Sequence, residues 1–271
     1  MLPYRQKMKL TIQSHETYIY TAGRDIDRNL PSVMFIHGAA NDHSVWALQS
    51  RYFAYHGWNA LAVDLPGHGA SKGTPHETVG AMADWISALL DELKLERAAL
   101  VGHSMGSLAA LETTARYPQK ISKLVMVGTA VPMAVSDTLL SAAIGNDHAA
   151  FDMVNIWGHT SAAQIGSNSL PGVWMAGDFL RLLEKSKPDV LGNDLKACSD
   201  YEDGIVAAAK VSCPTMLLLG KQDMMTSPKM TKELTATLKE CRVVVLDRAG
   251  HVPMAEEPDA TLDALNVFLN G

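Results

Sequence analysis

Four short, almost unbroken apolar runs constrain this chain more than any other feature: Ser32–His37, Asn59–Asp64, Ala98–His103 and Leu124–Thr129. A strand with one wet face alternates apolar and polar residues, whereas a run that is apolar throughout needs cover on both faces. Helical patterns separate the runs, at His43–Tyr55, Val79–Leu93 and Met105–Tyr117. In the second, Met82, Trp85, Ile86, Leu89, Leu90 and Leu93 recur at steps of three and four, which gathers them on one helical face. The third ends before Pro118, a residue that a helix interior does not tolerate. Strand alternating with helix in this way is the rhythm of a parallel sheet covered on both sides. Met8–Ile12 and Thr17–Thr21 read as a leading pair of strands.

The rhythm breaks after Ala130. Residues 131–208 lack obvious strands, and no Lys or Arg occurs from Leu124 through Leu180. It resumes with a strand at Pro214–Leu219, a helix near Pro228–Lys239, a strand at Arg242–Leu246 and a last helix near Pro258–Leu269. The expected organisation is one α/β core made of residues 1–130 and 209–271, with 131–208 as a mainly helical insertion. At 271 residues and 47% hydrophobic content the chain can bury a large core, which excludes a disordered polymer. A formal charge of −6 argues against a general nucleic-acid surface. The first thirty residues are studded with charges, including Arg5 and Lys7, so no signal peptide is expected there. The longest charge-free stretch, Met153 to Gly177, carries Asn155, His159, Asn168 and Pro171, which hydrocarbon would leave unsatisfied. Cys198, Cys213 and Cys241 show no paired spacing and read as free thiols. The expectation is a cytoplasmic protein that engages neither membrane nor nucleic acid. Its oligomeric state is left open.

Chemistry concentrates at Gly102-His103-Ser104-Met105-Gly106, between a buried strand and a helix. A serine presented on so sharp a turn needs neighbours without bulk two positions away on either side. Serine at its free pKa is a poor nucleophile and requires a base. Of ten histidines, His251 follows the last strand in Ala249-Gly250-His251. Parallel strands present their carboxyl ends on one edge, so Ser104 and His251 can converge there. His15, His56, His76 and His148 lack that placement. An acid must fix the imidazole tautomer. Asp223 follows the strand at Pro214–Leu219 on the same edge; Asp137, beyond Pro132, is the alternative. Donors for a tetrahedral oxyanion are expected from the backbone N–H groups of Met105 and of Ala39, in His37-Gly38-Ala39-Ala40.

His37-Gly38 after a strand, Asp64-Leu65-Pro66-Gly67-His68-Gly69-Ala70-Ser71, the serine turn, Asp223 and Gly250-His251 together resemble the α/β-hydrolase superfamily. The resemblance covers residues about 8–130 and 212–270. It implies an α/β fold with a mostly parallel eight-stranded sheet flanked by helices and a helical cap after the sixth strand. Within that superfamily, epoxide hydrolases and haloalkane dehalogenases carry aspartate where Ser104 stands. Carbon–carbon hydrolases of ring-cleavage products typically have Asn before the serine and Trp after the histidine; here these are His103 and Val252. The expected activity is therefore a serine carboxylic-ester hydrolase with a small-molecule ester as its partner. The alternatives are a carbon–carbon or enol-lactone hydrolase with the same triad, or a non-enzymatic ligand receptor. His37, Gly38, His103, Met133, Trp157 and Val252 are expected around the pocket. Gly67-His68-Gly69-Ala70-Ser71-Lys72-Gly73 misses the dinucleotide fingerprint by one position, and no HExxH occurs, so neither cofactor nor metal is expected.

Overall fold

The computed structural model describes residues 8–166 and 173–271. Arg5, Lys7, Asn168 and Pro171 lie outside the described residues. The strands are β1 (Met8–Ile12), β2 (His15–Tyr20), β3 (Ser32–Ile36), β4 (Asn59–Val63), β5 (Ala98–His103), β6 (Ile121–Val127), β7 (Thr215–Gly220) and β8 (Cys241–Leu246). They form one sheet in the order β1-β2-β4-β3-β5-β6-β7-β8. β1 and β2 pair antiparallel, as do β2 and β4, and every other pairing is parallel.

Every residue of β3, β4, β5 and β7 is buried, as continuous apolar runs require. Alternate side chains serve opposite faces. Met34, Ile36, Leu100, Leu124 and Met126 pack on one side, Val33, Phe35, Val101, Val125 and Val127 on the other. At the edge, β8 is mostly exposed or half-buried, with Val243 and Val245 open to solvent. The run expected at Leu124–Thr129 begins earlier, at Ile121, because a register shift at Ala98/Ala99 lets β5 pair with that polar start. The second strand of the leading pair starts at His15 rather than Thr17, because Ile12 and His15 are register partners across a two-residue turn.

The helices between the strands are α1 (Ala47–Tyr55), α2 (Val79–Glu92) and α3 (Met105–Arg116). The pattern expected as one helix from His43 opens instead with a 3₁₀ turn, His43–Trp46, whose first N–H groups are capped by Asp42. Thr78 caps α2 by accepting the N–H of Ala81, and Met82, Trp85, Ile86, Leu89 and Leu90 are buried beneath it. Each such side chain removed from water contributes about 1.5–3 kcal/mol.

Between β6 and β7 the chain forms α4 (Asp137–Ile144), α5 (Ala149–Gly158), α6 (Ser161–Gln164), α7 (Met175–Glu184), α8 (Val190–Ser199) and α9 (Gly204–Lys210). α9 runs across the boundary expected at residue 208, and its Ala207 and Ala208 share a core with Leu108 and Leu111 of α3. The chain closes with α10 (Lys232–Thr237), α11 (Pro253–Glu256) and α12 (Pro258–Asn270). No helix among the described residues is long and apolar enough to cross a membrane.

Candidate active site

Ser104 stands between β5 and α3 with φ +51° and ψ −120°. A non-glycine residue in the left-handed region costs about 1–3 kcal/mol and persists only where its surroundings enforce it. Here the Ser104 N–H donates to Val127 O at 2.9 Å, while Ser104 O accepts from Ser107 N–H at 2.8 Å and from Ser107 Oγ at 2.6 Å. The flanking glycines are steric necessities. A Cβ on Gly102 would lie 2.1 Å from Gly106 O, and one on Gly106 would lie 2.4 Å from His37 O.

His251 is anchored from three directions. Its N–H donates to Gly158 O at 2.9 Å, its carbonyl accepts from His103 Nε2 at 2.8 Å, and its Nδ1 lies 2.9 Å from Asp223 Oδ2. Asp223 Oδ2 also accepts from Thr226 Oγ1 at 2.7 Å, and Oδ1 accepts from the N–H groups of Met225 and Thr226, both at 2.8 Å. Burial alone would raise the Asp223 pKa. The facing His251 and the Thr226 bonds outweigh it and hold the carboxyl far below its usual range. An ionised Asp223 requires the proton on His251 Nδ1, which leaves Nε2 with a free lone pair. Asp137, the alternative acid, is exposed at the start of α4.

Ser104 and His251 line one cavity of about 220 Å³. Ala39, Met133, Leu139, Trp157, Leu195, Cys198, Met224 and Met225 are among its other walls, and the lining includes no Lys, Arg, Asp or Glu. Neither the Ala39 nor the Met105 N–H has a partner among the described residues. Of the expected pocket residues, Met133 and Trp157 belong to this cavity. His37, Gly38 and His103 do not: both histidines are packed beneath it, where no solvent or substrate reaches them. Val252 faces a separate cavity of about 520 Å³, walled by His159, Phe179, Arg181 and Met254, which includes neither Ser104 nor His251.

The two buried histidines hold backbone instead. His37 Nδ1–H donates to Gly38 O at 2.8 Å, and its Nε2 accepts the Leu65 N–H at 3.1 Å. Burial, with help from His68, lowers its pKa to about 4. Burial likewise lowers that of His103 to about 3, so its Nε2–H remains a neutral donor to His251 O. Asp42, His43 and Asp64 bring three possible metal-ligand atoms within 4.8 Å. Asp64 already accepts from His43 N–H, His43 Nδ1 and Ala70 N–H, so the trio ties two loops together.

Thr226 and Glu256 went unnoticed in the sequence. Asp-x-x-Thr is a turn spacing in which the carboxylate caps following N–H groups, so Thr226 carried a local signal. Glu256 gave none: its oxygens accept from Gly250 N–H at 2.7 Å and Thr160 N–H at 2.8 Å, joining the His251 loop to the insertion.

This arrangement of sheet, serine turn and acid–histidine pair defines a hydrolase fold. The alpha/beta hydrolase family model matches residues 33–264, and the chain belongs to that family. It is 29% identical to a pimeloyl-[acyl-carrier protein] methyl ester esterase of Neisseria meningitidis serogroup B / serotype 15 (strain H44/76), over 88% of this chain and 93% of that protein. It is 26% identical to an sn-1-specific diacylglycerol lipase of Mus musculus, over 90% of this chain and 83% of that one. An esterase from Exiguobacterium antarcticum superposes with a TM-score of 0.84 at 19% identity, covering 98% of this chain and all of the other, 100%.

Proposed function

We propose that the chain is a serine hydrolase of carboxylic esters, acting through an acyl-enzyme on neutral, partly apolar substrates of small to medium size. The observation that carries this reading is the shared cavity: Ser104, the Asp223-oriented His251 and Ala39 line one space that includes no Lys, Arg, Asp or Glu. Relatives described as esterases support the reaction class. Arg181, the first arginine of the insertion, lines the other cavity, so nothing cationic beside Ser104 favours an anionic substrate.

In the first half-reaction His251 Nε2 takes the Ser104 Oγ proton as Oγ bonds to the ester carbonyl carbon. The carbonyl π electrons move onto oxygen, where the N–H groups of Ala39 and Met105 receive the developing charge. Asp223 stabilises the imidazolium that forms. Collapse breaks the carbon–oxygen bond to the alcohol, which leaves with the proton from His251. Water, deprotonated by His251, then releases the acid and restores Ser104.

The test is hydrolysis of p-nitrophenyl esters from acetate to dodecanoate, with Ser104→Ala as the blank. That substitution is expected to lower kcat by at least ~10³-fold. Residual activity within about tenfold of wild type overturns the assignment. Turnover of an enol-lactone or dienone far exceeding every ester would move the substrate class while keeping the triad.

A further inference from the structure

The loop that carries Ala39 is gripped from the insertion. Ala39 lies between two peptide planes, and both are tied down. The carbonyl of the first, Gly38 O, accepts from His37 Nδ1 at 2.8 Å and from Asn41 N–H at 3.2 Å. A carbonyl held on one side aims the N–H of the same plane, that of Ala39, to the other. The N–H of the second plane, on Ala40, donates to Asp194 Oδ2 at 2.9 Å. Ala40 sits at φ +53°, a conformation that a non-glycine residue holds only under such constraint.

Asp194 is on α8, whose Leu195 and Cys198 wall the cavity containing Ser104. It is fully buried, and the same Oδ2 lies 2.8 Å from Nε2 of the buried His68, whose Nδ1 is 2.9 Å from Pro66 O. Both His68 nitrogens thus face acceptors, which only an imidazolium satisfies. Asn193 Nδ2 donates to Asp194 Oδ1 at 3.2 Å. The other groups bearing on this pair are Asp64 at the end of β4, His37 at the end of β3, His76 ahead of α2, and Cys198.

We propose that Asp194 and His68 form a positioning clamp through which α8 of the insertion holds the Ala39 N–H in line with the reacting carbonyl. The clamp touches no substrate atom. It couples the seating of the helix that walls the pocket to the readiness of the oxyanion donor. The proposal rests on the serine-hydrolase reading for its kinetic consequence, but the grip itself does not depend on turnover.

Asp194→Leu removes the acceptor while keeping the volume, and Asp194→Asn removes the charge while keeping an oxygen at the Oδ2 position, where it still accepts from Ala40 N–H and His68 Nε2–H. In Asp194→Leu, kcat on the best ester is expected to fall about 30- to 100-fold, the scale of a displaced reacting group, with KM changed less than about threefold. Affinity for a boronic acid that forms a tetrahedral adduct on Ser104 falls in parallel. Asp194→Asn recovers most of that loss. Amide hydrogen exchange at Ala40 supplies a readout free of catalysis, and Asp194→Leu is expected to accelerate it at least ~10-fold more than exchange in α12. Wild-type-like Ala40 protection in Asp194→Leu overturns the clamp. So does a kcat within about threefold of wild type in folded protein whose Ser104→Ala counterpart is dead. Equal activity of wild type and Ser104→Ala would instead overturn the serine-hydrolase reading, leaving the exchange result to judge the clamp.

Discussion

Ser104, Asp223 and His251 each follow closely on a strand of the parallel sheet, and hydrogen bonds fix the backbone or carboxylate of each. Met133, Trp157 and Leu195 reach the same cavity from three separate stretches of the insertion, through apolar contact alone. The sheet edge is thus a rigid presenter of these three side chains, because strands buried on both faces leave it little freedom. The insertion is a shaped wall, attached to that edge by a few polar ties. They include Asp194 to Ala40 and His68, Gly158 O to His251, and Thr160 through Glu256 to Gly250, with Asn193 to His76 O and Tyr201 to Glu112 elsewhere on the core. On the proposed serine-hydrolase reading, the difference separates two kinds of specificity: the edge sets which bond is attacked, and the wall sets which substrate fits.

The largest expected effect lies on the edge. Asp223→Asn places an amide where His251 Nδ1–H needs an anion, and kcat for a good ester is expected to fall by about 10⁴-fold. A loss below about tenfold would show that the edge is less dependent on its acid than the geometry demands. Next is a tie between the two regions. Glu256→Gln leaves one acceptor oxygen for the N–H groups of Gly250 and Thr160, so urea denaturation should show a loss of about 1–3 kcal/mol. Stability indistinguishable from wild type would make that tie ornamental.

A third expectation follows the same carboxylate with pH. Asp223 is depressed in the folded state, so its stabilising contribution is complete above its unfolded pKa near ~4 and drains away as pH falls below that value. The stability gap between wild type and Asp223→Asn should accordingly be widest near neutrality and narrow steadily below about pH 4. A gap that stays constant down to pH 2 would contradict a carboxylate held ionised by its buried partners. The smallest effect belongs to the wall: Trp157→Ala should move the ester chain-length optimum upward while changing turnover of the acetate ester only a few-fold. A uniform loss across all chain lengths would place Trp157 with the chemistry instead.

The sheet and the gathering of Ser104, Asp223 and His251 were legible in the sequence for the same reason. Continuous apolar runs such as Val33–Ile36 mark buried strands locally, and a short loop after such a strand has one edge on which to end. Gly102 and Gly106 added a steric signature around Ser104. The insertion was legible only as an interruption, because its helices are short and no local spacing says which of them pack together. His37 and His103 were misplaced for a related reason. Ala39 and Ser104, close by in sequence, line the cavity, yet each histidine side chain turns inward to satisfy a buried backbone group. Asp194 and His68 meet across the whole of two intervening strands and helices, and no local spacing announces such a pair.

Val131, just past β6, packs against Gly204 at the start of α9, the helix that carries the chain back to β7, so most of the insertion leaves and rejoins the core at adjacent points. A segment with nearly coincident ends can be exchanged for another of different length at little entropic cost, since closure grows only slowly with loop length. For anyone grafting a new specificity onto this scaffold, the seam is therefore forgiving and the docking points are not. A replacement wall must still deliver a carboxylate to the Ala40 N–H and a carbonyl to the His251 N–H. On the proposed reading, transplants chosen for shape alone would inherit the nucleophile and forfeit the alignment it works against.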